Sequence, residues 1–507
     1  MTKFSSQSVA FWQWILSMVL IALFCLHLWQ IFPLGILAWV ENFSYDLRLS
    51  LAPSQEIDQR IHIIAIDEKS LQEVGRWPWS RNHVAKLVRH LFDHYRVNVL
   101  AIDMVFAEPD HSSGLQVLEG LAEKELRGDP GFQERMEQLR ASLAYDHVLA
   151  QSLQGKPVVL GFVLNNVSAN PNPRQQLPKP LLDLWETGHT KTTLPASENF
   201  IGNLEILQNA AVAGGFFSNP MVDSDGVTRR MSLIHRHQTN IYPSLALATI
   251  RSLLGNPATS IGFANMGANR TLPLIPQWID VGNYRIPMDE QGAILVPYRK
   301  SESGFRHISA VDVLNKTLPA NTLTGSVALL GLTATGLGDS AITPVQGRMS
   351  GVEVHANLVS GILDGRIKER SERLIWLDSA ILIALCSLMI LVGNASLLWN
   401  GLFATLSSAL LTAVNLLAWE KINLVLALGT PMLAILSILL VNIGIIRAFP
   451  ASDKKTEIPS QPSGSPAQED HQKDDAFWED PPEAWRLDTS KLIIKDQVTI
   501  SSLKPPP

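Results

Sequence analysis

The chain has 507 residues, a net charge of −6 and a pI near 6.1. That balance argues against a general nucleic-acid binder, which would present a basic face, and the length admits more than one domain. A mean hydropathy of +0.12 is high for a water-soluble protein, and the apolar residues gather at the N-terminus and between Leu374 and Ile446.

Phe11–Ile31 is almost unbroken apolar sequence, long enough to cross a hydrocarbon core of about 30 Å as a helix. Trp12, Trp14, Trp29 and Trp39 lie near its ends, where interfacial aromatics gather. No small-residue cleavage site follows, so a retained anchor is expected in place of a removed signal peptide. The two cysteines, Cys25 and Cys386, both fall in apolar spans. The region between them is large enough to hold its core without disulfides. Glu41–Gln59 reads as a polar connector with a break at Pro53.

Ile61–Ile66 and Val97–Ile102 are apolar runs, each followed by an aspartate, Asp67 and Asp103. Such Ile/Val-rich runs suit strands buried on both faces. Between them Val84, Leu87, Val88, Leu91 and Phe92 recur at helical spacing, with Ser80 at an N-cap position. The expectation is a right-handed βαβ unit. Asp67 and Asp103 would then end neighbouring strands, on the edge where open α/β sheets place ligands.

His111–Gln154 is expected to form helices interrupted at Gly128–Gly131, and Val158–Leu164 a third buried strand. Asn165–Pro180 reads as a surface loop, Ala210–Phe217 and Met231–His235 as strands, and Tyr242–Leu254 as a helix. Thr271–Tyr298 suits hairpins at a sheet edge. Val327–Leu332 is a last buried strand, and Gly351–Leu363 a helix leading toward the membrane. The fold class expected is an α/β domain, a mainly parallel sheet with helices on both faces, plus α-helical transmembrane segments.

Asp67 and Asp103 are candidates for a ligand or cation site, or each caps a following turn. Val222–Arg230 carries Asp223, Asp225 and Gly226 like the start of a calcium loop, but Arg229 and Arg230 follow where ligands would be needed. An Asp-stabilised turn fits better, with Arg229 pairing with Asp225 or a ligand anion. Gly336–Pro344 lacks the Gly-Lys-Ser/Thr of a phosphate loop. It would bring Asp339 to the rim of Asp67 and Asp103, with His355 facing it from the next helix. No nucleophile–histidine–acid set is evident, and no catalytic residue, metal site or cofactor is expected. Hydrolysis of a glycosidic bond by paired acids stands as a minor alternative.

The stretches IDEKSL, GRWPWSR and AIDMVFAEPD within Ile61–Asp110 resemble the opening of the second type of CHASE domain, an extracellular sensor module of bacterial membrane receptors. Asp146–Leu153 with Pro157–Phe162, Gly214–Arg230 and Gly331–Leu363 continue the resemblance, which covers most of residues 41–370. It implies a sensor role and adds weight to Asp67, Asp103, Asp225, Arg229, Asp339, Thr343 and His355 as ligand-binding candidates. It names no ligand.

Leu374–Val392, Leu402–Trp419 and Ile422–Ile446 are three further apolar spans. With the first they make four, so both termini share a side. Lys3, Arg447, Lys454 and Lys455 put that side in the cytoplasm. A three-span arrangement, with Leu402–Ile446 partly re-entrant, is the alternative. The domains expected are an N-terminal anchor (1–40), an extracytoplasmic domain (41–373), three membrane helices (374–446) and a cytoplasmic tail (447–507). The location expected is a bacterial inner membrane, with the large domain in the periplasm. The tail is polar, charged and rich in Pro and Ser, a disordered composition without kinase or cyclase signatures. Phe477, Trp478 and Trp485 would dock a separate cytoplasmic signalling protein, or lie back on the membrane interface. The partners expected are the bilayer, an unknown ligand or envelope protein outside, and that output protein. A homodimer is left open and nucleic acid is not expected. The alternative function is a structural or assembly subunit of an envelope complex.

Overall fold

The structure is a computed structural model that describes residues 6–51, 56–167, 173–189, 191–218, 221–266, 272–299, 304–345, 347–393 and 395–448. The tail candidates Phe477, Trp478 and Trp485 lie outside the described residues.

The outer domain is built on seven strands: β1 (Ile61–Ile66), β2 (Val99–Ile102), β3 (Val158–Asn165), β4 (Asn199–Ile201), β5 (Ala213–Phe216), β6 (Arg306–Ser309) and β7 (Val327–Leu332). Their order is β6-β1-β7-β2-β3, and β3 pairs further with β5 in parallel and β4 in antiparallel. All other pairings are parallel, with Ile61 opposite Val327, Val327 opposite Val99, and Leu100 opposite Val158. The expected parallel sheet is therefore present. Asp67 and Asp103 do not end neighbouring strands, however, because β7 inserts between β1 and β2. Nothing local to residues 61–110 announces a partner strand more than two hundred residues later.

Side chains alternate between the two faces. Ile61, Ile63, Val99, Ala101, Val159 and Leu329 point to one core, closed by α6 (Leu245–Leu253) and α7 (Gly351–Leu363). Ile64, Ile66, Leu100, Ile102, Leu160 and Leu330 point to the other, closed by α4 (Arg81–Arg89) and α5 (Tyr145–Leu153). Short α3 (Glu68–Val74) follows β1 directly. The chain leaving β1 and β2 thus turns to one face, and the chain leaving β7 turns to the other. Their divergence opens a crevice at the carboxyl ends of β7 and β2. The prolines and glycines of 271–298 serve a separate antiparallel sheet, Thr259–Ala264, Ile275–Val281 and Tyr284–Pro287, and not the edge of the main one.

Below the domain lie α1 (Ser6–Leu28), α8 (Glu372–Val392), α9 (Leu397–Lys421) and α10 (Gly429–Ala448). Three stretches are long and apolar enough to cross a membrane, Phe11–Leu28, Arg373–Val392 and Leu397–Lys421, and a fourth helix is apolar over Gly429–Gly444. Ile21 and Phe24 pack with Leu382, Met389 and Ile438, while Trp12, Leu398 and Trp399 lie on the outside, as lipid-facing residues do. The polar connector is in fact helical: α2 (Gly35–Leu51) buries Leu37, Glu41, Tyr45, Arg48 and Leu49 on one stripe.

The last apolar span is not one helix from Ile422. Residues 422–428 are not helical: Asn423 turns the chain in the left-handed region, Leu424 bridges Glu369, and the stretch leads into α10 at Gly429. Non-helical backbone at the membrane needs protein partners, and it has them. Glu41 accepts hydrogen bonds from the backbone of Leu428 (3.0 Å) and Thr430 (3.1 Å), Asp378 accepts one from Ala427 (3.1 Å), and Arg48 donates to the Leu426 carbonyl (3.2 Å). Buried ionisable groups are retained there because backbone would otherwise be orphaned.

Candidate functional site

The crevice is shaped by where backbone can approach backbone. The Asp103 amide donates to the Leu330 carbonyl at 2.8 Å, carrying the β7–β2 ladder one residue past the strand. On β3, Gly161 lets the chain close in, since an added Cβ would stand 2.7 Å from the Ile102 carbonyl oxygen. Gly351 opens α7, donates to the Asp339 carbonyl at 2.9 Å, and faces the Asp103 carboxylate. The space left is a cavity of about 360 Å³. Asp103, Asp339 and His355 all line it, joined by Met104, Phe217, Leu332, Leu337 and Val354, and by Val222, Thr228 and Met231 from one segment after β5.

Electrostatics sharpen that set. Asp103 keeps part of its surface open to the cavity while protein packs its remaining sides. Burial, and then the charge of Asp339, push its carboxyl pKa up to about 7. His355 is 1% exposed, and burial lowers its imidazole to about 4 against the pull of the Phe217 backbone. The ring is therefore neutral at physiological pH, and its Nδ1 has no hydrogen-bond partner. Three of the seven candidates thus meet in one chamber.

The other four go elsewhere. Asp67 is a helix cap: it sits at the N-terminus of α3 and accepts from the Ser70 amide at 2.9 Å and the Ser309 hydroxyl at 2.7 Å. Burial alone would raise its pKa, but these hydrogen bonds outweigh it and hold the carboxyl below the usual range. Thr343 lies buried on the hairpin of Ser340–Thr343 with Gly347–Ser350 and does not line the cavity. Asp225 and Arg229 belong to an ion-pair cluster on the membrane side. Arg229 grips Asp46 of α2 (2.7 Å), Asp223 (2.8 Å) and Asp225 (2.8 Å) with its side chain 5% exposed. Arg229 hydrogen bonding keeps the Asp225 carboxyl below the usual carboxylate range. The turn is real: the Gly226 amide donates to the Asp223 carbonyl, and the Val227 amide to Asp225.

A second cavity, about 710 Å³, lies where α1, α2 and α8 meet the outer domain, with Asp223, Arg229, Lys368 and Asp378 among its walls. Val222 lines both cavities. Sequence reading missed Asp46 because 41–59 looked like a connector. The signal was there in Leu37, Glu41, Tyr45 and Arg48, a polar and apolar stripe at helical spacing. It also missed Phe217, Val222 and Thr228, whose approach depends on the path after β5.

Chemically, the chamber offers one readily titrated acid, one exposed acid, one neutral histidine and apolar walls. Among the described residues, no group of three or more His, Cys, Asp and Glu is arranged to hold a metal ion. Comparison with curated proteins and with solved structures returns no match. The model of the CHASE2 domain matches residues 17–394, from within α1 to just past α8. A match of that extent, over motifs that form this crevice, makes the chain a member of the CHASE2 family of extracellular sensor domains.

Proposed function

We propose that this chain is a membrane-held sensor that binds a small ligand in the sheet-edge cavity and relays its occupancy to the membrane helices. The ligand enters from outside the cytoplasm, and both chain termini lie within it. A separate cytoplasmic protein, docked on the tail around Phe477, Trp478 and Trp485, receives the signal. The binding step involves no bond-making.

One observation carries this reading. The segment 222–231 lines the cavity through Val222, Thr228 and Met231, and between them Arg229 clasps Asp46 on α2. A ligand that moves this segment changes the hold on α2. Glu41 of α2 in turn caps α10. A ligand can bias such a linkage only by binding two arrangements with different affinity.

The test uses the full chain in lipid nanodiscs, screened by thermal shift against a small-molecule library. A ligand is expected to raise Tm in the wild type and not in Asp103→Asn. In Arg229→Ala it should still bind but no longer alter hydrogen exchange in α2. A compound that shifts Asp103→Asn equally argues against the cavity. If the library gives no shift and the protein copurifies with envelope proteins through the outer domain, the assembly-subunit alternative stands instead. Reporter fusions at residue 200 and at Pro507 should report opposite sides of the membrane.

A further inference from the structure

We infer that the cavity beside Asp103 selects a small organic cation, an amine or quaternary ammonium compound with an apolar body, over a metal ion or an anion. This rests on the reading of the cavity as the ligand site and adds the chemical class.

The charge of the lining is one-sided. Among the described residues that line it, Asp103 and Asp339 are the only charged ones, and no Lys or Arg reaches it. Three other acids of this domain have partners: Asp67 in Ser70 and Ser309, Asp58 in Arg60 and Ser360, Asp225 in Arg229. The Asp103 carboxyl accepts no hydrogen bond from any described residue. His355 adds a buried Nδ1 without a partner. Leaving such groups unsatisfied is costly; a protonated amine removes the cost by donating N–H, and a quaternary ammonium offsets the Asp103 charge without a hydrogen bond.

The remaining walls suit an organic body. Met104, Leu332, Leu337 and Val354 are apolar, and Phe217 supplies an aromatic ring of the kind cations favour. A bare metal ion would require several ligands converging, and the described residues assemble no such group. The one feature that favours an anion is the amino end of α7. Its Gly351 amide is already spent on the Asp339 carbonyl, and two carboxylates outweigh a half-charge.

A pH signature follows. Among the described residues, the titratable groups around Asp103 are Asp339, in the loop after β7, and His355, on α7; β2 and the 222–231 segment add no other charge to the chamber. A cation stabilises the ionised acid, so its affinity rises as pH climbs through about 7. An anion would show the reverse.

The experiment uses the full chain in nanodiscs carrying Ser340→Cys, at the exposed rim of the cavity, with the wild type as control for Cys25 and Cys386. Labelling rates are compared for trimethylammonioethyl and sulfonatoethyl methanethiosulfonate, each normalised to a free thiol. The cationic reagent should win by roughly tenfold or more. Asp103→Asn and Asp339→Asn, two variants so that a folding defect in one does not decide the matter, should each cut that preference. Millimolar choline or putrescine should slow labelling by a neutral maleimide, more at pH 8 than at pH 6, and succinate should not. Equal rates, or faster sulfonate labelling, overturn the inference. Protection by succinate or 1,4-butanediol but not by the cations overturns it while leaving the cavity a ligand site. Protection by none of the four overturns the inference and the ligand-site reading together.

Discussion

Arg229 and Asp46 form a two-pronged ion pair, Nε to Oδ1 and Nη2 to Oδ2, both at 2.7 Å. It ties the segment beside the cavity to the helix above the membrane across 183 residues of sequence. Asp223 and Asp225 approach the same guanidinium, and Asp223 also lies 3.5 Å from Arg230. Arg229→Ala would leave Asp46 and Asp225 without their cation, and Asp223 with Arg230. The expected loss is about 3–5 kcal/mol, read from unfolding in nanodiscs. Asp46→Asn removes one prong and leaves two acids paired, so it should cost less, about 1–2 kcal/mol. An Arg229→Ala loss no larger than that of Asp46→Asn would mean the cluster is not organised around the arginine.

Asp103 should make stability fall with rising pH. Its carboxyl titrates near 7 when folded, against 3.8 when free. The folded state therefore holds the proton through a range in which the unfolded state has lost it. Its contribution is complete below about pH 3.8 and is lost as pH rises through 7. Asp103→Asn should leave stability unchanged near pH 4 and raise it by about 1–3 kcal/mol at pH 8. Unfolding curves at the two pH values check this, and equal effects at both would contradict a raised pKa.

His355 works in the opposite direction. Its imidazole is held near 4 instead of 6.5, so the unfolded chain takes up the proton first as pH falls. The stability it contributes is present above 6.5 and is lost as pH drops toward 4. His355→Gln should flatten that acid limb. A limb of unchanged steepness would show that the histidine does not cause it.

Gly215 on β5 has no room for a side chain. An added Cβ would lie 2.6 Å from both the Ser244 carbonyl oxygen and the Leu245 Cα, which are backbone atoms and cannot rotate away. Gly215→Ala is expected to cost about 3 kcal/mol by prying α6 from the sheet. Gly128→Ala, where nothing lies within 4 Å of the added carbon, should change stability by less than about 0.5 kcal/mol. Thermal unfolding of the pair distinguishes close packing from a general intolerance of substitution.

Glu41 holds the start of α10 through the amides of Leu428 and Thr430. Glu41→Ala deprives both amides of their carboxylate acceptor, at a cost of about 2–4 kcal/mol. Glu41→Gln keeps an acceptor oxygen and should be milder. The readout is the protease sensitivity of residues 422–428. Equal sensitivity in the two variants would argue that packing, not capping, fixes this stretch.

Much of the architecture was legible. Ile61–Ile66, Val158–Leu164 and Val327–Leu332 announced buried strands through unbroken Ile, Val and Leu, because a strand covered on both faces has no polar side to show. The apolar spans announced themselves by length, since few other structures can bury so many residues in a row. Candidate residues were harder. Asp103 and Asp67 look alike in sequence, each an acid after a strand. One is capped by Ser70 and Ser309 and the other faces a chamber, a difference set by a hydroxyl on β6.

By itself the sequence determined the alternation of strand and helix, the apolar helices and membership of the family, because periodicity and local motifs are properties of neighbouring residues. Only the tertiary structure decided that β7 separates β1 from β2, that residues 422–428 leave the helix, and that Arg229 reaches α2. Each of these depends on which distant segment satisfies a strand edge, an exposed amide or a buried charge. That choice is made by the whole fold minimising unpaired polar groups, and no local stretch of chain records it.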